Sequence, residues 1–380
     1  MELKVKQRIA LIIYFFLSGF GFSSWTSRIP TIKDSFNLNE GELGSVLLAM
    51  PISSVLGLPL SAWLVTRFHS RWPLITGLLL YCIFLAFIGH ATTIFQLIIA
   101  LSFYAFSMRI TNISMLTQSI SIQKIFIKKI NGSFHGFWCV GGIVGVGVST
   151  WMVGIGIDIY LHLSFAAIAI FLIGVGAFSY LLKDDRTETG NKLILGKPDP
   201  HILSLGFILL LAAFFEGGMF DWSGLYFKEV VGEEIFTTGY LIFMASMAIS
   251  RFVSDSIIPK IGTKGMFNVS AFLIVTGFGL AVIFPTFWIA LIGFMLVGFG
   301  TASVVPMIFI LAGTSKKYSP GMAISIIATY AMVGMLGGPP IIGYIAHVFS
   351  LKVSFVLMGL MGLVIIPISK YFHGLDENIR

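Results

Sequence analysis

Charge is scarce in this chain. Its 380 residues include only 24 Lys and Arg and 17 Asp and Glu, 11% of the total against 57% hydrophobic residues, and the mean hydropathy is +0.95. A soluble domain carries about 25% charged residues, so a water-exposed enzyme or binding module is excluded. Cysteine is nearly absent as well. Cys82 and Cys139 both fall inside apolar runs, with no Cys/His spacing that would build a disulfide framework or a metal site. No glycine-rich loop leads to a Lys that would cradle ATP phosphates. No hydrophilic stretch reaches domain length, and no Ser/His/Asp set can be picked out. An ATP-driven pump or an enzyme is not expected, nor is a cofactor. The alternating apolar pattern of an outer-membrane barrel is missing too.

What is present is a series of apolar runs of roughly 18 to 25 residues, each about long enough to cross ~30 Å of hydrocarbon as a helix. Charged clusters, Pro and Gly divide them into helices at 8–29, 42–66, 73–90, 94–119, 133–156, 161–182, 202–228, 237–258, 266–284, 287–312, 321–346 and 351–372. The expected fold class is therefore all-α, with twelve transmembrane helices. An even count puts both termini on one side. One set of loops and ends collects most of the cations, among them Lys4, Lys6, Arg8, Arg67, Arg71, Lys124, Lys260 and Lys317. The other set has only Arg28, Lys33, Lys228 and Lys352 beside several acids. Basic loops stay cytoplasmic, so both termini are expected there, in a multi-pass membrane protein. The net charge of +7 follows from this rule and gives no reason to expect nucleic-acid binding. The first apolar run is too long for a signal-peptide core and lacks a small-residue cleavage site, so it should remain as the first helix.

The longest polar stretch, 183–201, is rich in charge and Pro and reads as a cytoplasmic linker between an N-terminal six-helix bundle, 1–182, and a C-terminal one, 202–380. The halves share features. Arg67-Phe68-His69-Ser70-Arg71 follows the second span, and Lys260-Ile261-Gly262-Thr263-Lys264 follows the eighth. Trp138 precedes Gly141, Gly142 and Gly145 in the fifth, as Tyr330 precedes Gly334, Gly337 and Gly338 in the eleventh. Such small-residue faces let helices approach closely, and duplicated halves are common in transporters with a substrate site at the repeat interface.

On these features the chain resembles the major facilitator superfamily over nearly its whole length. The loop after the second span keeps Arg67, Phe68 and Arg71 of the superfamily's basic signature but has Thr66 and His69 where an acid and a Gly are usual. The copy after the eighth span keeps Asp255 and Gly262. A narrower similarity is to bacterial inner-membrane permeases of the rhizopine-associated membrane protein and fucose-permease-like group. It rests on Ser24–Pro30, on Asn112-Ile113-Ser114-Met115 with Gln118, on Ser133–Trp138, and on Glu216-Gly217-Gly218 leading to Asp221-Trp222-Ser223. Asn112 stands where that group carries Asp. The resemblance implies two bundles rocking about a central cavity lined by the first, fourth, seventh and tenth helices, which would let Arg109 and Glu216 face one another.

A charge at the centre of a membrane helix costs about 2.5 to 3.5 kcal/mol on insertion scales, so it usually meets a partner or a wet cavity. Glu216 is the first candidate proton carrier, with Asp221 as a second. They are five residues apart and do not share a face of a regular helix, and Gly217-Gly218 is where an interruption is expected. Arg109 and Asn112, three apart on one face, form a donor-rich stripe suited to a carboxylate or to vicinal hydroxyls. Trp25 and Arg28 end the first helix. With Trp138, Trp222 and Tyr330 they complete the substrate-binding candidates, the aromatics by stacking on an apolar sugar face or by packing. Arg67, Arg71 and the Arg251/Asp255 pair, one turn apart, are the gating candidates. His135, at the start of the fifth helix, is a weaker candidate for proton work, a lone His there being more often structural.

These readings point to a secondary active transporter that moves a small hydroxylated solute, sugar or polyol-like, by alternating access with a proton or another cation. Import is favoured because the fifth helix lacks the Gly-Pro element associated with many proton-driven exporters. The rival readings are an exporter of drugs, siderophores or other metabolites, and a non-transporting receptor. A monomer is expected, since twelve helices can bury their own polar groups.

Overall fold

In hydrocarbon a backbone N–H or C=O finds its partner within its own helix or not at all, and helices account for the architecture. The computed structural model describes residues 2–127, 130–183, 185, 200–313, 315, 318 and 320–377, with the backbone alone at 131, 132, 252, 254–256, 259, 320–322, 325 and 373–377. Among the described residues there are fourteen α-helices: α1 (Leu3–Thr26), α2 (Ile29–Ser35), α3 (Glu40–Leu47), α4 (Ala49–Arg67), α5 (Arg71–His90), α6 (Ile94–Gln123), α7 (Asn131–Gly154), α8 (Ile159–Phe178), α9 (Pro200–Tyr226), α10 (Thr237–Ile283), α11 (Phe287–Ala302), α12 (Val304–Gly313), α13 (Pro320–Val348) and α14 (Leu351–Glu377). A π-helical turn, Phe227–Val231, extends α9. Eleven stretches among the described residues are long and apolar enough to cross a membrane. α10 breaks at Gly262, whose φ of 71° and ψ of 169° are non-helical. Its two limbs lie where the eighth and ninth spans are expected, and only the second limb is among the eleven.

The interruption expected at Gly217-Gly218 is absent: α9 runs unbroken through both glycines. Gly218 is a packing residue, since a Cβ there would meet Ile342 and Met358. The irregularity comes later, in the π turn that ends at Gly232 with φ 84°.

The chain forms two compact units: Met1–Asn37 with Val46–Lys192, and Leu38–Ser45 with Leu193–Arg380. In the first, α1 and α7 touch backbone to backbone. A Cβ at Gly19 would run into the Trp138 carbonyl, and one at Gly141 into that of Phe16. Hydroxyls tie the remaining helices. Tyr104 donates to Tyr81 at 2.9 Å, Tyr81 to the Ser18 carbonyl at 3.1 Å, and Tyr14 to the Gly174 carbonyl at 2.8 Å. The second unit repeats the device between α9 and α13, where a Cβ at Gly334 would strike the Leu210 carbonyl. Its core is aromatic: Tyr226 stacks on Phe355 at 4.3 Å and donates to the Ala281 carbonyl at 2.8 Å. The segment Leu38–Ser45 opens with a reciprocal cap between Asn39 and Glu42, both bonds 2.9 Å. It packs on α13 through a 2.8 Å hydrogen bond between Ser45 and Tyr344.

Candidate functional site

Each unit holds an arginine within a long helix, and their surroundings differ. In the first unit Arg109 sits near the middle of α6. Its Nε donates to Ser54 Oγ of α4 at 2.8 Å, an approach permitted by Gly57, where an added Cβ would lie 3.4 Å from Arg109 Cβ. No ion pair joins Arg109 to a described residue. Asn112, one turn further along α6, is half-buried, and its amide makes no hydrogen bond to a described residue. The donor stripe expected on this helix is thus a half-buried pair, braced by a serine.

In the second unit Glu216 of α9 pairs with Arg251 on the first limb of α10, Oε1 to NH2 at 3.0 Å, with side chains 18% and 24% exposed. This settles Glu216's partner as Arg251. The Asp255 side chain, the partner expected for Arg251 one turn along its own helix, lies outside the described residues. Asp221 is half-buried and makes no hydrogen bond or ion pair with a described residue. At about 100° per residue on the continuous α9, it points away from Glu216.

The other candidates divide between buried and open positions. Trp25 and Trp222 are 1% and 0% exposed, and each indole N–H is buried without a hydrogen-bond partner. Trp138 is half-buried and lies 5.9 Å from the Phe22 ring. The Tyr330 ring covers Gly206 of α9. Arg28 is 4% exposed, and its contacts are structural in kind: Nε donates to His162 Nδ1 at 3.1 Å and NH2 to the Ile157 carbonyl at 2.9 Å. His162 must therefore be the Nε2–H tautomer, with Nε2 buried and unpartnered.

At the loop between α4 and α5, Arg67 is exposed, and the Arg71 guanidinium lies over the Trp72 ring at 5.1 Å. Asp185 accepts from Ser70 N at 2.9 Å and from Ser70 Oγ, capping the start of α5. Gln118 secures the same segment through both the N–H and the carbonyl of Leu182, at 3.2 and 3.0 Å. Ser54, His162 and Asp185 are the partners that sequence reasoning missed. His135 is exposed and meets the Phe15 ring edge-on at 5.4 Å. Cys82 and Cys139 are buried free thiols, and among the described residues no group of His, Cys, Asp and Glu could hold a metal ion.

Comparison with known proteins agrees with this architecture. The Major Facilitator Superfamily model matches residues 11–315. An uncharacterized MFS-type transporter of Yersinia pestis is 28% identical over 359 residues, covering 94% of this chain and 93% of its own. Membrane protein MosC of Rhizobium meliloti is 27% identical over 367 residues, covering 96% and 89%. The crystal structure of the nucleoside transporter NupG superposes with a TM-score of 0.76 at 16% identity, covering 98% of this chain and 99% of that one. The chain belongs to the Major Facilitator Superfamily and is a multi-pass membrane transporter of small molecules, not an enzyme.

Proposed function

We propose that this transporter imports a small hydroxylated solute across a bacterial inner membrane by alternating access, driven by protons. In this reading twelve spans place both termini in the cytoplasm, 1–182 and 202–380 form the two bundles of a monomer, and 183–201 links them. The observation that carries proton coupling is the carboxylate arrangement of α9. Glu216 is tied to Arg251, while Asp221 has no partner among the described residues. A carboxyl in a membrane span that no described side chain engages is open to a proton arriving with the solute. Asp221 is therefore the group that takes up and releases the proton. Glu216 and Arg251 form a latch whose two charges cancel, and it opens when one of them finds another partner. Hydroxyl recognition falls to Asn112 and Ser54, with Trp138 of the same unit as an aromatic surface. Arg28, Trp25 and Trp222 hold the fold, and Arg67 and Arg71 bear on gating through the loop that Asp185 caps.

The test is uptake into proteoliposomes under an imposed pH gradient. Wild-type protein should accumulate its solute only when the gradient is present. Asp221→Asn should still exchange solute across the membrane but fail to accumulate it. Gradient-driven accumulation by Asp221→Asn at the wild-type level would remove Asp221 from coupling.

A further inference from the structure

We propose that the cargo carries a carboxylate beside its hydroxyl groups, as a sugar acid does, and that Arg109 reads it. The inference deepens the hydroxylated-solute reading and rests on it. It begins with where the acids of the first unit lie. Glu2 precedes α1, Asp34 is in the short α2, Asp158 immediately precedes α8, and Asp184, Asp185 and Glu188 follow α8 in the chain. None lies within α4 or α6, the helices that hold Arg109 and its serine. Asp185, moreover, is engaged with Ser70. No acid of the first unit therefore shares a helix with Arg109 or its serine, and among the described residues none pairs with Arg109. The second unit holds the contrasting arrangement, an arginine met by a carboxylate of the protein itself: Arg251 receives Glu216 at 3.0 Å.

The geometry fits a ligand. Ser54 engages Arg109 through Nε, on the side of the guanidinium. That bond fixes the plane and leaves the two terminal nitrogens as a fork, the arrangement that meets both oxygens of a carboxylate in parallel hydrogen bonds. Asn112, one turn along the same face, offers a donor and an acceptor for a neighbouring hydroxyl. The charge favours a carboxylate over a phosphate ester. α4 and α6 supply no second cation within their interiors, Arg67 being the last residue of α4, so a dianion would keep one charge uncompensated. A neutral sugar would leave the guanidinium uncompensated.

The experiment is thermal unfolding of the purified full-length protein with D-gluconate and D-galacturonate. Their neutral counterparts D-sorbitol and D-galactose, inorganic phosphate, and the apolar cation tetraphenylphosphonium serve as controls at matched ionic strength. At least one acid should stabilise the wild type with concentration dependence, and the neutral compounds and phosphate should not. Arg109→Gln should weaken the acid by about 10- to 100-fold, as expected for loss of a charge-assisted hydrogen-bond pair. Arg109→Lys should retain part of the affinity. Ser54→Ala, which keeps every charge, should weaken the acid a few-fold and serves if Arg109→Gln does not fold. Equal stabilisation by acid and neutral partner, undiminished in Arg109→Gln, overturns the carboxylate and leaves the hydroxylated-solute reading standing. Stabilisation by none of the acids or by phosphate alone also overturns it. Hits confined to apolar cations would defeat both readings.

Discussion

Arg109 and Arg251 carry the same charge within long helices, one in each unit, and among the described residues only Arg251 has a carboxylate, Glu216 at 3.0 Å. Arg109 has a serine hydroxyl at 2.8 Å instead. A charge balanced within the protein can be held through a transport cycle and released when protonation changes. A charge with no internal counter-ion is best offset by something that comes and goes. In the proposed reading, energy coupling falls to the second unit and cargo recognition to the first.

The largest effect should come from breaking the pair. Glu216→Gln or Arg251→Gln leaves one charge in a mostly buried position. Because both side chains keep about a fifth of their exposure, the loss of stability should fall somewhat below the ~3–5 kcal/mol of a fully buried pair. The double variant should recover most of it, a coupling that thermal unfolding of the four proteins would measure. Additive losses would mean that the two side chains do not depend on each other.

A smaller effect sharpens the contrast by testing a third arginine. Arg28→Met removes two hydrogen bonds and leaves His162 Nδ1 and the Ile157 carbonyl without their donor. The expected cost is about 1–3 kcal/mol in unfolding with unchanged cargo affinity. A loss of affinity at unchanged stability would return Arg28 to the binding site. The smallest effect belongs to Asp185→Ala, which removes the cap from α5 at about 1 kcal/mol, read by thermal unfolding with cargo affinity unchanged.

Much of this was legible in sequence because membrane helices are written locally. Apolar runs located the spans. The spacing of Gly141 and Gly145, and of Gly334, marked faces where α1 meets α7 and α9 meets α13 backbone to backbone. The three-residue spacing of Arg109 and Asn112 put them on one face of α6. Pairings across helices were not legible. Glu216 and Arg251 are 35 residues apart, and the nearer Asp255 had equal chemical claim on Arg251. Ser54 and Asp185 resemble many other serines and acids until the fold brings them to Arg109 and Ser70. Gly217-Gly218 suggested a break in α9, yet the continuous helix uses Gly218 to admit Ile342 and Met358. A glycine pair marks either flexibility or close packing, and only the neighbours decide.

The most direct measurement compares solute exchange with gradient-driven accumulation of labelled D-gluconate in proteoliposomes of Arg109→Gln, Arg251→Gln and Glu216→Gln. The expected result is that Arg251→Gln and Glu216→Gln still exchange the acid but no longer accumulate it, while Arg109→Gln does neither. Loss of both activities in all three variants, or exchange preserved in Arg109→Gln, would contradict the division of labour between the two arginines.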